Sequence, residues 1–170
     1  MRRACALLAA GAIACGPADS AEADDAAAQG AALHRLFFER EQAGRLVVWA
    51  DPADPGPVFE ALGRGRGAPA AAAALARSVG APVTAVTAAD LRRIFRDHAD
   101  GWAAFYRAYP RAPGLVEVDR PRRHTRGVVS VVVGRACGEH CGHAWTVEVR
   151  RDRDGVWRAT GVTPLRVPRQ

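Results

Sequence analysis

Apolar residues recur along this chain with two periods, and each period predicts a different element. From about Ala88 to Tyr109, Leu91, Ile94, Phe95, His98, Trp102, Phe105, Tyr106 and Tyr109 fall on one stripe of a helix. Arg92, Arg93, Arg96, Asp97 and Asp100 lie mostly elsewhere, so one long amphipathic helix facing a core is predicted. Thr87 and Asp90 have the spacing of a capping box, and Pro110 ends the run. Upstream, Leu33, Leu36 and Phe37 have helical spacing between Ala31 and Ala43, with Gly44 as a stop. Ala68 to Val79 reads as an alanine-rich helix closed by Gly80. Leu46-Val47-Val48-Trp49 reads as a short buried strand, and the proline-rich stretch Asp51 to Pro57 as a loop. Arg64-Gly65-Arg66-Gly67 is a further loop.

The second period, an alternation of two, governs the carboxy-terminal third. If Cys137 faces Cys141 across Gly138-Glu139-His140, an antiparallel hairpin sets Val133 against Trp145, Val131 against Val147 and Val129 against Val149. All six share one face. Ser130, Gly134, Thr146, Glu148 and Arg150 go to the other, with Val132 the exception. A slip of one residue would destroy the match. Asp152 to Val156 reads as a second tight turn with Gly155 in its left-handed position, which returns Trp157 and Ala159 to the apolar face. Leu115-Val116-Glu117-Val118 adds a further strand. The fold expected is α+β: helices packed on a carboxy-terminal antiparallel sheet, a three-stranded meander or larger.

The amino terminus changes the picture of where this domain sits. Met1-Arg2-Arg3, an apolar run from Ala4 to Ala14, then Cys15 have the layout of a secretory signal, too short to span a bilayer. Ala12-Ile13-Ala14-Cys15 resembles a bacterial lipobox, in which Cys15 would carry the lipid anchor; Ala12-Ile13-Ala14 also fits ordinary cleavage and simple secretion. Residues 1–14 are thus expected to be a leader, 15–30 a flexible tether and 31–170 one domain. The expected location is the bacterial cell envelope, and the expected partner is the membrane, reached through the anchor. With Cys5 removed and Cys15 lipidated, Cys137 and Cys141 remain as an even pair in an oxidising compartment.

The formal net charge is +6, and all 24 basic side chains are arginine, which points to genome composition before any binding role. The basic run Arg120-Pro121-Arg122-Arg123-His124-Thr125-Arg126 contains no aromatic residue and reads as a solvated loop. Nucleic acid is therefore not an expected partner. No phosphate-binding loop, H-E-x-x-H or G-x-S-x-G pattern occurs, serine is scarce, and Ser130 falls within a strand. Asp51 and Asp54 sit beside prolines as turn residues, and His98 is read as a packed helix residue. No catalytic residue and no cofactor is assigned, and a non-enzymatic binding or interaction module is expected, whose further partner is an envelope component or a small ligand.

Chemistry concentrates in Cys137-Gly138-Glu139-His140-Cys141-Gly142-His143. This segment supports a structural disulfide between Cys137 and Cys141, a copper or zinc site using those thiolates with His140 and His143, or a redox pair. The elements Trp102, Phe105, Tyr109-Pro110, Gly114, Cys137-Gly138-x-x-Cys141-Gly142 and Gly155-x-Trp157 resemble a group of uncharacterised bacterial exported proteins. In that group a C-G-x-x-C-G hairpin precedes a G-x-W strand. The resemblance implies an exported α+β domain and no particular activity. His140 and His143 depart from the group's pattern.

Overall fold

The structure, a computed structural model, describes residues 17–96 and 100–168. The expected leader, the lipidation candidate Cys15 and His98 lie outside the described residues. The remainder is an α+β fold in which helices pack on a seven-stranded, mostly antiparallel sheet.

In chain order the elements are α1 (Pro17–Leu33), continued by a π-helical turn (His34–Phe38), β1 (Leu46–Trp49), α2 (Pro57–Ala61) and α3 (Ala72–Val79). Then come β2 (Val83–Val86), α4 (Ala88–Arg96), α5 (Gly101–Ala108), β3 (Leu115–Val118) and β4 (Arg122–Thr125). The chain closes with β5 (Val128–Gly138), β6 (Cys141–Arg151) and β7 (Trp157–Leu165). The strand order is β2-β1-β3-β5-β6-β7, with β4 paired to the start of β5. Strand β1 runs parallel to both β2 and β3, and the other pairings are antiparallel.

Two apolar clusters lie on opposite faces of this sheet. On one, α1 and α3 cover Leu46, Val48, Val116, Val131 and Val147, with Phe37 fully buried among them. On the other, α2, α4 and α5 cover Val47, Trp49, Leu115 and Ala136 through Val58, Leu91 and Phe105. Burying a side chain such as Phe37 or Phe105 completely contributes about 1.5–3 kcal/mol.

Three expectations need correction. Residues 15–30 read as a tether, but from Pro17 onward the chain is helix α1, with Ala26, Ala28 and Gln29 buried. Alanine favours helix, and its small side chain lets α1 lie close to the sheet without giving a visible apolar period. Gln29 fastens that docking: its Nε2 donates to the carbonyls of Ala68 (2.8 Å) and Asp119 (2.9 Å), and its Oε1 accepts from Ala70 N (2.8 Å).

The single helix expected over Ala88–Tyr109 is two helices. Asp100 takes an extended backbone conformation and caps α5, its side chain accepting from Ala103 N at 2.9 Å. Gly101 follows because Phe95 lies where a Cβ would stand, 2.8 Å away. The start of this region conforms: Thr87 and Asp90 exchange hydrogen bonds as a capping box. Finally, the arginine run read as a loop contains the edge strand β4, whose residues are all exposed. Strand β2 and the short helix α2 have no counterpart in the sequence reading.

Candidate functional site

The hairpin β5–β6 has the register that alternation predicts: Val133 opposite Trp145, Val131 opposite Val147, Val129 opposite Val149. Asp152 and Val156 close the following turn, with Gly155 at φ 81°, and Trp157 is buried on the apolar face. The tip differs in one detail. Gly138, not Cys137, pairs with Cys141, so the register shifts after Ala136 and Cys137 bulges out. Glu139 and His140 then form a two-residue turn. An extra residue absorbed as a bulge lets the strands use the commonest hairpin length.

Across that bulge the Cys137 and Cys141 sulfurs lie at disulfide-bonding distance, with Cα atoms 5.0 Å apart. His143 joins them: one ring nitrogen and the two sulfurs all lie within 4.8 Å of one another. His140, the fourth ligand of the sequence reading, is not brought into this group. Trp145 orients His143, the rings stacking at 5.8 Å and 17°. Trp145 is in turn braced by the edge of Phe37 and by the Arg135 guanidinium, 5.5 Å from its ring centre. Arg135 is fixed by Glu41, whose two carboxylate oxygens both accept from its Nη1, at 2.7 and 2.6 Å.

The tip also borders a cavity of about 470 Å³. Val58 and Ala61 of α2, Ala136 of β5 and Val167 of the carboxy-terminal segment line it, together with Glu139, His140 and Cys141 of the tip itself. Tyr106 of α5 donates its hydroxyl to the Cys137 carbonyl at 3.2 Å, which ties the tip to the helical layer. Burial pushes the Tyr106 hydroxyl above its ordinary pKa. A second concavity, lined by Trp49, Leu91, Phe95, Arg92 and Arg96, is more open to solvent.

Behind α2 sits a group that the sequence reading passed over. Glu117 is 1 % exposed, and its carboxylate accepts from the amides of Val58 (2.9 Å) and Phe59 (2.6 Å). It thus caps α2 from another strand. Burial pushes its pKa up to about 7 against the pull of the two amides, with Asp54 adding a smaller upward push. The available signal was a lone acid in an otherwise apolar four-residue strand.

The remaining candidates are dispersed. Asp51 accepts from the amides of Ala53 and Ala88, which hold its carboxyl below the usual range, and Asp54 accepts from Gly56. Both therefore serve turns. Ser130 Oγ of β5 lies 2.8 Å from His124 Nε2 of the exposed strand β4, but the carboxylate of nearby Glu148 bonds Arg150 and Thr160 instead. Arg123 of β4 is neutralised by Asp24 (3.1 Å) and Asp25 (3.0 Å) of α1. No family model, curated protein or solved structure matches this chain.

Proposed function

We propose that the chain is an exported, lipid-anchored envelope protein that works as a non-enzymatic binding module, with the cavity beneath the hairpin tip as its ligand site. The observation that carries the reading is that cavity: about 470 Å³, lined by the apolar side chains of Val58, Ala61, Ala136 and Val167 together with Glu139, His140, Cys141 and the backbone of the tip. A concavity that mixes apolar side chains with polar groups suits a small amphipathic ligand. The disulfide-closed tip would keep the rim in place. Export and anchoring rest on the Met1-to-Cys15 pattern, and no helix among the described residues is long and apolar enough to cross a membrane.

The test uses 1-anilinonaphthalene-8-sulfonate, whose fluorescence rises in apolar sites, as the probe. The folded chain should bind it in a saturable manner, and Ala61→Trp, which fills the cavity from α2, should abolish the signal without lowering the thermal midpoint. Equal fluorescence from the two proteins would sink the assignment of this cavity.

A further inference from the structure

We infer that the hairpin tip is a redox-gated copper(I) site formed by Cys137, Cys141 and His143. Three soft or borderline donors already converge there, every pair of ligand atoms being within 4.8 Å. The tip is accessible: His143 is exposed, and both cysteines are only partly buried. The ring of His143 is held in place by Trp145, itself braced by Phe37 and Arg135, so the imidazole is oriented before any ion arrives.

The cysteine bond can open because the fold does not depend on it. The register of β5 and β6 is set by the apolar pairs Val133–Trp145, Val131–Val147 and Val129–Val149, and the ladder runs on to Val128 opposite Arg150. Cys137 stands in a bulge outside that ladder. Opening the bond therefore frees two thiols without moving the strands that carry them. This separates the tip from a staple of the kind that maintains a small domain.

In the gating step a dithiol donor delivers two electrons and two protons to the Cys137–Cys141 bond. The bond breaks into two thiols, and the donor becomes a disulfide. When copper(I) binds, the thiols release their two protons to water as two copper–sulfur bonds form, and His143 supplies the nitrogen. Thiolate ligands select copper(I) over harder ions, and three donors suffice for it, whereas a closed zinc site takes four. His140 lines the cavity and does not join this group, so among the described residues the group offers three donors.

The experiment titrates cuprous ion, against a competing chromogenic chelator and without oxygen, into the full chain before and after reduction by a phosphine that is then removed. The chain also contains Cys5 and Cys15, so the C137S/C141S variant sets the background. Reduced wild-type protein should retain one copper more than that variant, and oxidised protein none more. His143→Ala should weaken retention at least as much as the loss of an outer partner does, roughly 10- to 100-fold. His140→Ala should leave retention unchanged. Far-ultraviolet circular dichroism of the reduced, metal-free chain should match that of the oxidised chain. Copper retention equal to the double variant's would overturn the proposal, as would indifference to His143→Ala or preferential uptake of zinc.

Discussion

In β1 and β3 every residue is buried, because helices cover both faces of the sheet there, whereas along β5 and β6 buried positions mostly alternate with partly exposed ones. The two ends handle polar groups differently as a result. At the covered end an acid such as Glu117 is sealed in and can act only by bonding backbone amides. At the hairpin end Cys137, Cys141 and His143 reach solvent and remain available to a ligand or a reductant. Structural cost is thus concentrated at the first end and accessible chemistry at the second, and single substitutions should separate the two.

The largest effect is expected at Gly56. Its backbone (φ 85°, ψ 157°) occupies a region essentially restricted to glycine, and a Cβ would meet Glu117 Cδ at 2.7 Å. Gly56→Val combines backbone strain with overpacking and should cost about 4 kcal/mol by urea denaturation. An effect under about 1 kcal/mol would show that α2 and Glu117 are not held together as described.

Next in size is the pH dependence of Glu117. Its folded pKa of about 7 lies above the ordinary 4.5, so between these values the native chain keeps a proton that the unfolded chain has released. Stability should therefore be fully present below that window and fall as pH rises through it, by about 3 kcal/mol in all. Hydrogen bonds shift the exposed carboxylates Glu39, Asp51, Asp90, Glu148 and Asp152 downward, so their contributions are lost only in more acid solution. Denaturation midpoints from pH 4.5 to 7 should fall for the wild type and stay level for Glu117→Gln. The same slope in both proteins would remove Glu117 as its source.

Third is Gln29, which anchors α1. Gln29→Leu leaves the carbonyls of Ala68 and Asp119 and the amide of Ala70 without their partner. A loss of about 2 kcal/mol is expected, less than three fully buried groups would give, because Ala68 and Ala70 are partly exposed and water can reach them. Measured stability within about 0.5 kcal/mol of wild type would return residues before Leu33 to the status of a tether.

The same contrast explains what was legible in the sequence. The register of β5 against β6 below the tip, and the turn into β7, could be derived from alternation, because a strand with one covered face carries it in its composition, whereas the bulges at Ala136/Gly138 and Glu148/Val149 could not. Strand β1, buried on both faces, showed only as a short apolar run, since such a strand has no alternating signature, and β2, a four-residue edge strand with one buried residue, carries too short a pattern to show. The double helix α4–α5 was hidden because the apolar stripe continues across the break, although Asp100-Gly101 carried the cap. The docking of α1 was hidden in alanine. For the site, adjacency in sequence placed Cys137, Cys141 and His143 together, but the cavity needed Val58 and Val167, which only the fold brings to the tip.

The smallest effect should come from the feature that looked most important in the sequence. Closing a loop of this length restricts the unfolded chain by about 2 kcal/mol at most, and residual hairpin structure in that state reduces the figure. The C137S/C141S variant should therefore lose only about 1 kcal/mol, less than Gly56→Val or Gln29→Leu. Hydrogen exchange should quicken at Gly138 to Gly142 and stay slow at Val129, Val131 and Val147, which are buried and paired independently of the cysteines. If protection collapsed along the whole of β5 and β6 instead, the valine register would depend on the bond. A tip that must stay closed to hold the sheet could not also open to take up an ion, so this measurement ties the energetic comparison between the two ends directly to the chemistry assigned to one of them.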